Sequence, residues 1–193
     1  MTASLAPPLR LARPDEGRAI AELINFAGEG LAEHVWRGLA EPGVDPWTVG
    51  EARAAKRAAD GEVVAIDEGS GLVAAMIGYP IETTDPVEEL PEMFRPLQAL
   101  ENLVVGTWYL NVLAAYPRAR GRGLGAALIR HAEALAAAAR LSGVSIIVAD
   151  QNVGARRLYE RLGYHELDRR PIVKDRWETP STHWVLLKND IDA

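Results

Sequence analysis

Apolar and polar positions along the first sixty residues alternate with the periods of one short strand and three helices. Residues 9–12 alternate in the manner of a strand, and Pro14 and Asp15 follow as a helix-start signal. Apolar side chains then recur at helical spacing in residues 20–27 and, after a glycine interruption, in 31–39. A third and mostly polar segment, 49–59, is predicted to be a superficial helix capped by Thr48.

The rest of the chain is predicted to be a hairpin followed by alternating strands and helices. Two apolar runs, 62–67 and 72–80, flank the turn sequence Glu-Gly-Ser-Gly, which favours a hairpin. Residues 82–106 contain three prolines and an acidic cluster, and we expect a long irregular excursion there. The remaining predicted elements are a strand at 107–115, a helix from Leu124 to Ser142, a buried parallel strand at 144–150, a helix from Asn152 closed by Gly163, and strands at 164–168 and 183–187. We find no repeat and no domain boundary, so residues 1–193 are expected to form a single domain.

Composition excludes several classes of protein. The chain has 193 residues, of which 48% are hydrophobic and 25% are charged, as in soluble globular domains. A net charge of −6 argues against a nucleic-acid partner and favours a cationic or amine-bearing one. The absence of cysteine excludes disulfides and thiolate chemistry, and the four histidines lack metal-ligand spacing, so no metal is expected. Residues 1–8 do not resemble a signal peptide and no apolar run is long enough to cross a membrane, which predicts a cytoplasmic protein without membrane association.

The sequence Arg-Gly-Arg-Gly-Leu-Gly at 120–125 is the strongest indication of a ligand. It follows a predicted strand and opens a predicted helix, where unpaired N–H groups and the helix dipole favour an anion. The glycines allow the main chain to approach a bulky phosphate. A plain strand-to-helix turn remains an alternative. A P-loop is excluded because Gly125 is followed by two alanines and not by Lys and Ser or Thr. A dinucleotide-binding fold fits poorly, because it needs an acidic residue about 20 positions after the glycines and Asp150 lies somewhat further along the chain.

A second motif, Asn152-Val-Gly-Ala-Arg-Arg-Leu-Tyr159, follows the strand predicted at 144–150. Together with the sequence at 120–125 (the glycine turn), this motif resembles those of the GNAT superfamily of acetyl-CoA-dependent N-acetyltransferases. The resemblance is close over residues 107–164 and loose elsewhere. The resemblance implies an α/β (α+β) fold, with a mixed central sheet of about seven strands flanked by helices. In this fold strands four and five splay apart, which opens a cleft for the pantetheine arm of acetyl-CoA.

The resemblance also implies roles for individual residues. Backbone groups of the strand residues 113–115 would pair with the pantetheine arm, and Asn152 would hydrogen-bond the same arm. The glycine turn would bind the pyrophosphate. Tyr159 would protonate the departing thiolate, as a catalytic acid. The residues implied in acetyl-CoA binding are Leu113, Ala114, Ala115, Arg120, Gly121, Arg122, Gly123, Leu124, Gly125, Ala126 and Asn152. An asparagine after a strand also serves as a helix cap, and a tyrosine at this spacing also suits the edge of a core.

The implied reaction is acetyl transfer from acetyl-CoA to a primary amine of a small molecule, peptide or protein, by direct attack through a tetrahedral oxyanion. No general base is assigned, because relatives carry a glutamate where this chain has Tyr109 or Ile147. Glu82, Glu101 or an ordered water are the candidates.

We expect the acceptor site in residues 28–36 and 82–106, with Trp36, Trp108 and Tyr109 as candidate walls. The alternative functions are a catalytically silent sensor that binds acyl-CoA and a transferase of aminoacyl or longer acyl groups. Many relatives pair through their last strands, which makes a homodimer possible.

Overall fold

The computed structural model describes residues 5–69 and 71–191. Over these residues it contains seven strands and six helices, in close agreement with the predicted order. The strands are β1 (Leu9–Leu11), β2 (Val63–Asp67), β3 (Leu72–Pro80), β4 (Trp108–Ala115), β5 (Gly143–Ala149), β6 (His165–Pro171) and β7 (His183–Asp190). The helices are α1 (Gly17–Ala27), α2 (Leu31–Leu39), α3 (Pro46–Ala59), α4 (Arg95–Glu101), α5 (Leu124–Ala138) and α6 (Val153–Arg161).

The described strands form one mixed sheet in the order β1-β2-β3-β4-β5-β7-β6. Neighbours pair antiparallel in β1–β2, β2–β3, β5–β7 and β7–β6, whereas β4 and β5 run parallel. The predicted hairpin is therefore confirmed as β2 and β3, although Ser70 in its turn lies outside the described residues. The predicted α/β (α+β) fold with a mixed sheet flanked by helices is confirmed.

The parallel pairing of β4 with β5 is confined to the beginning of both strands. Trp108 pairs with Val144 and Tyr109 with Ser145. A buried hydrogen bond of 2.8 Å between the Thr107 and Ser145 hydroxyls holds this end of the pair together. Among the described residues, Leu110 and Asn111 continue β4 without a partner on β5, so the two strands separate after two residue pairs, as expected.

The described residues divide into two compact units, each built from separate stretches of the chain. Unit 1 comprises residues 79–111 and 129–191, and unit 2 comprises residues 5–69, 71–78 and 112–128. The organisation of residues 1–193 as a single domain stays a prediction.

Unit 2 has a core between its helices and the β2–β3 hairpin. Ile20 and Leu23 of α1 are fully buried, and they pack with hairpin residues such as Val63 and Ile77. Helix α3 packs tightly against Trp36, since a Cβ added at Gly50 would lie 2.5 Å from the indole ring. Burial of these apolar side chains stabilises the unit by removing their surface from water.

Unit 1 has its core around β5 and β7, which pair over seven residues from Gly143 with Asp190 to Ala149 with Trp184. Val185, Leu186 and Leu187 are buried on β7. Gly143 is required at the start of β5, because a Cβ there would clash with the Asn189 carbonyl oxygen. The strand predicted at 144–150 is confirmed as buried, but it is parallel only to β4, at two residue pairs, and antiparallel to β7 along its length.

Two local predictions were wrong, and proline explains both. Helix α3 begins at Pro46 rather than at Val49, and Asp45, not Thr48, is its cap, with a carboxylate oxygen that accepts from the Trp47 N–H at 3.1 Å. The segment 82–106 is less irregular than expected, because it contains α4 and two short 3-10 turns. Pro46 and Pro96 lie in the first turns of their helices, where the missing N–H costs nothing.

Candidate active site

The glycine turn of unit 2 has a backbone that only glycine adopts readily. After β4 a short 3-10 turn leads to Gly121 and Gly123, whose φ angles of +75° and +79° are left-handed. No atom lies within 4 Å of a Cβ built on either residue, so the glycines serve the conformation and leave open space beside it. Helix α5 then begins at Leu124.

The start of α5 presents backbone N–H groups that the helix itself leaves unpaired. The amide of Ala127 donates to the Gly123 carbonyl at 3.0 Å, which closes the first helical turn. The amides of Leu124, Gly125 and Ala126 precede this bond and have no intrahelical acceptor. The helix dipole adds a partial positive charge at the same place. The turn therefore has the geometry and polarity that an anionic group requires.

The arginines of the turn already have partners in the structure. Arg122 makes two hydrogen bonds to the Glu68 carboxylate, of 2.8 and 2.6 Å. Arg120 donates from Nε to the Ala115 carbonyl at 3.2 Å, which occupies one of the backbone acceptors predicted for pantetheine. The half-buried Leu113 and Ala114 precede Ala115 on β4. An anion at the turn would compete with Glu68 for the charge of Arg122.

Tyr159 belongs to unit 1 and is a buried residue of α6. Its side chain is 4% exposed, and its ring lies 6.0 Å from that of Tyr164. Burial raises the pKa of the Tyr159 phenol well above its ordinary value, so the hydroxyl is a neutral proton donor over the physiological range. Tyr164 has a separate structural role, since its hydroxyl donates to the Glu133 carboxylate at 3.4 Å.

Asn152 caps α6 in unit 1. Its side-chain oxygen accepts a hydrogen bond from the Ala155 N–H at 3.2 Å, which satisfies one of the amides at the start of that helix. The cap fixes the side chain and leaves its amide N–H₂ group as the part available to a ligand. The structure thus bears out the capping role, while the role of Asn152 toward pantetheine stays a prediction.

A group of three polar side chains lies together in unit 1. Glu101 is the last residue of α4, and its Oε2 accepts a hydrogen bond from the Tyr79 hydroxyl at 3.2 Å. The Tyr79 ring meets the Tyr109 ring edge to face, at 5.5 Å between centroids. Burial is the main cause that raises the pKa of Glu101 to about 7; the Tyr79 hydrogen bond opposes this rise, and the charge of Asp85 adds to it.

The sequence named Glu101 only as one candidate base among several, and it did not identify Tyr79. These residues are 22 positions apart, and no local motif joins them. The other candidate, Glu82, is exposed. Of the proposed aromatic walls, Trp36 is buried in the unit 2 core, where its ring centroid lies 5.4 Å from that of Trp47, so it has little surface left for contact with an acceptor. Tyr109 is buried and Trp108 is half-buried.

None of the helices in residues 5–69 and 71–191 is long and apolar enough to cross a membrane. Within the same residues, no group of three or more histidine, aspartate or glutamate side chains is arranged to hold a metal ion.

Comparison with known proteins gives a consistent result. The model of the acetyltransferase (GNAT) family matches residues 32–164. No curated protein matches the chain. Among solved structures, a mosquito arylalkylamine N-acetyltransferase like 5b is similar, with a TM-score of 0.67 and 20% identity over 95% of this chain and 99% of that one.

Two further structures are similar to this chain. An N-acetyltransferase from Staphylococcus aureus Mu50 has a TM-score of 0.62 and 16% identity, over 94% of this chain and 99% of that one. A GNAT family acetyltransferase from Elizabethkingia anophelis, solved with acetyl-CoA bound, has a TM-score of 0.50 and 16% identity, over 67% of this chain and 75% of that one. At these identities the structures show a shared fold.

Proposed function

Because the chain belongs to the acetyltransferase (GNAT) family, we propose that it transfers an acetyl group from acetyl-CoA to a primary amine of a small molecule, peptide or protein. The family makes it an acyltransferase, and the choice of acetyl-CoA and of an amine acceptor is the proposal. It is supported by the acetyl-CoA that is bound in the similar Elizabethkingia structure.

The observation that carries the proposal is the pair of left-handed glycines, Gly121 and Gly123, directly before α5. Such a turn lets consecutive amides converge on the diphosphate of coenzyme A. The turn residues from Arg120 to Ala126 would hold the diphosphate, Leu113 to Ala115 would meet the pantetheine arm, and Asn152 would donate its amide N–H to that arm.

Tyr159 supplies the proton that the thiolate needs. A buried phenol of raised pKa is a weaker acid than a thiol, so complete transfer to a thiolate is uphill unless the phenol gains another proton at the same time. The nitrogen of the tetrahedral intermediate carries a proton that must leave. Tyr159 therefore donates to sulfur as it receives that proton, and it ends the cycle neutral.

The test combines binding and turnover. Titration calorimetry with acetyl-CoA should give a saturable heat, and release of free thiol should then be followed against a panel of arylalkylamines, polyamines, aminoglycosides and peptide N-termini. Thiol release that depends on one class of amine, with the acetylated product seen by mass spectrometry, would support the proposal. Acetyl-CoA binding with no turnover on any amine would favour the sensor, and no binding would exclude both.

The remaining expectations stay predictions. The predicted homodimer can be tested by measuring the molar mass in solution, and the predicted cytoplasmic location by cell fractionation. Edge strand β6 carries Glu166, Asp168, Arg169 and Arg170, charges that disfavour the addition of another strand at that edge.

A further inference from the structure

We propose that Glu101 is the general base that takes the proton from the acceptor amine, with Tyr79 as its positioning residue. This inference rests on the acetyl transfer proposed above. A base is needed from elsewhere in the chain, because the two positions at which relatives carry a glutamate are occupied here by Tyr109 and Ile147.

The position of Glu101 is fixed by three elements of unit 1. Glu101 ends α4, the Tyr79 hydroxyl on β3 donates to its carboxylate at 3.2 Å, and the Tyr79 ring rests against Tyr109 on β4. The hydrogen bond from Tyr79 and the contact between the two tyrosine rings favour one orientation of the Glu101 carboxylate. One oxygen accepts from Tyr79, and the other oxygen is available to a substrate proton.

Tyr109 connects this group electrostatically with the proposed acid. Its own phenol is fully buried, and its pKa is raised first by burial and then by the nearby charge of Glu101 and by Tyr79 and Tyr159, while a hydrogen bond with Asn111 lowers it. Glu101 and Tyr159 therefore both act on the same side chain from within unit 1. The proposed base and the proposed acid thus both lie close enough to Tyr109 to affect its pKa, and acetyl transfer needs a proton transfer at each of them.

The charge state of Glu101 suits this role. With a pKa of about 7, the carboxylate is a stronger base than an exposed glutamate and is still substantially ionised at neutral pH. The titratable groups that act on it are Tyr79, which lowers its pKa by hydrogen bonding, and Asp85, which raises it by charge. Tyr109 faces the same cluster as a neutral phenol.

The proton transfers balance over one cycle. The Glu101 carboxylate removes one proton from the ammonium form of the acceptor, and the neutral amine attacks the thioester carbonyl, forming the C–N bond. The oxyanion collapses and breaks the C–S bond. Tyr159 donates a proton to sulfur and regains one from nitrogen, and Glu101 releases its proton to solvent. The products are the amide, the free thiol and one proton.

The test is the pH dependence of kcat/KM with two acceptors whose amine pKa values differ by about two units, so that ionisation of the acceptor is separated from that of the enzyme. The wild type should show an ascending limb near pH 7 that does not move with the acceptor. Glu101→Gln should lose this limb and about 10²-fold in activity. Glu101→Asp should recover part of the activity, because a carboxylate is restored at a longer distance.

Tyr79→Phe separates a positioning role from a merely structural one. It removes the hydrogen bond that holds the Glu101 pKa down, so the ascending limb should move to higher pH while the maximum rate changes little. Glu82→Gln tests the other candidate base, which is exposed, and this variant should retain the ascending limb near pH 7. Circular dichroism and acetyl-CoA calorimetry on every variant confirm that each is folded and loaded.

Three results would overturn this assignment: Glu101→Gln keeps the limb near pH 7, Glu82→Gln loses it, or the limb of Tyr79→Phe stays in place. Any one of these outcomes removes Glu101 as the base. If wild-type protein turns over amines normally while one of them occurs, acetyl transfer stands and only the base is wrong. If no amine is acetylated by the wild type, both proposals fail together.

Discussion

The glycine turn of unit 2 and the tyrosine–glutamate cluster of unit 1 are built by opposite means. The turn is exposed, and its chemistry comes from backbone N–H groups, two left-handed glycines and a helix start within a few consecutive residues. The cluster combines the buried Tyr109 with the half-buried Glu101 and the exposed Tyr79, and its chemistry comes from these side chains, which three separate elements bring together. One region is made by local conformation and the other by packing.

This difference decides how each region responds to mutation. In the glycine turn, a substitution affects ligand binding only if the new side chain changes the backbone φ angle or fills the open space beside the turn. In a side-chain cluster every substitution also changes the burial and hydrogen bonding that set the pKa of its neighbours. The predictions below test whether the two regions separate binding from chemistry in this way.

The largest effect is expected for Gly123→Glu in the turn. A glutamate at φ +79° strains the backbone by about 1–2 kcal/mol and places a negative charge beside the diphosphate site. Acetyl-CoA binding should become undetectable by calorimetry. Gly61→Glu is the matched control, since Gly61 has φ +75° with open space around its Cβ and lies in another turn of unit 2. Equal loss of binding in both variants would mean that strain, and not the turn, is responsible.

Tyr159→Phe should affect chemistry and leave binding intact. Loss of the phenolic proton should lower kcat by at least about 10²-fold, while the dissociation constant for acetyl-CoA changes less than about threefold. Tyr164→Phe is the control, because the Tyr164 ring lies beside Tyr159 and its hydroxyl bonds to Glu133. If kcat of Tyr159→Phe equals that of the wild type in steady-state assays, Tyr159 has no part in the reaction.

Glu101→Gln should stabilise the fold at high pH. The pKa of Glu101 rises from 4.5 to about 7 on folding, so the native state binds the proton more tightly and wild-type stability falls as pH rises between these values. The variant lacks this cost. Its advantage in free energy of unfolding, from urea titrations, should be absent near pH 4, grow to about 1–3 kcal/mol by pH 8, and then level off. An advantage independent of pH would contradict the assigned pKa shift.

The smallest effect is expected for Glu68→Gln in the turn region. Glu68 holds Arg122 through two hydrogen bonds, and its loss frees that charge for the diphosphate. An exposed ion pair contributes about 0.2–1 kcal/mol, so the affinity for acetyl-CoA should rise about 1.5- to 5-fold in calorimetry at low salt. Glu62→Gln, which removes the exposed Glu62–Arg57 pair, is the control. Weaker binding in Glu68→Gln would show that the pair supports the turn.

The sequence predicted the local features well because each depends on neighbours along the chain. The strand–turn–helix order around Gly121 and Gly123 is confirmed, as are the hairpin and the early separation of β4 from β5. The start of α3 was missed because a capping aspartate followed by proline was passed over in favour of Thr48. The helix α4 was missed because prolines in helix first turns were read as breakers.

What the sequence determined by itself is the order of the elements, the family and the position of the glycine turn, since glycine conformation and hydrophobic period are properties of consecutive residues. What only the tertiary structure decided is the environment of single side chains. Trp36 is a core residue, and Glu101 differs from the exposed Glu82 because burial and the Tyr79 hydroxyl act on it. A pKa depends on the atoms that fold around a group, and residues distant in sequence supply those atoms.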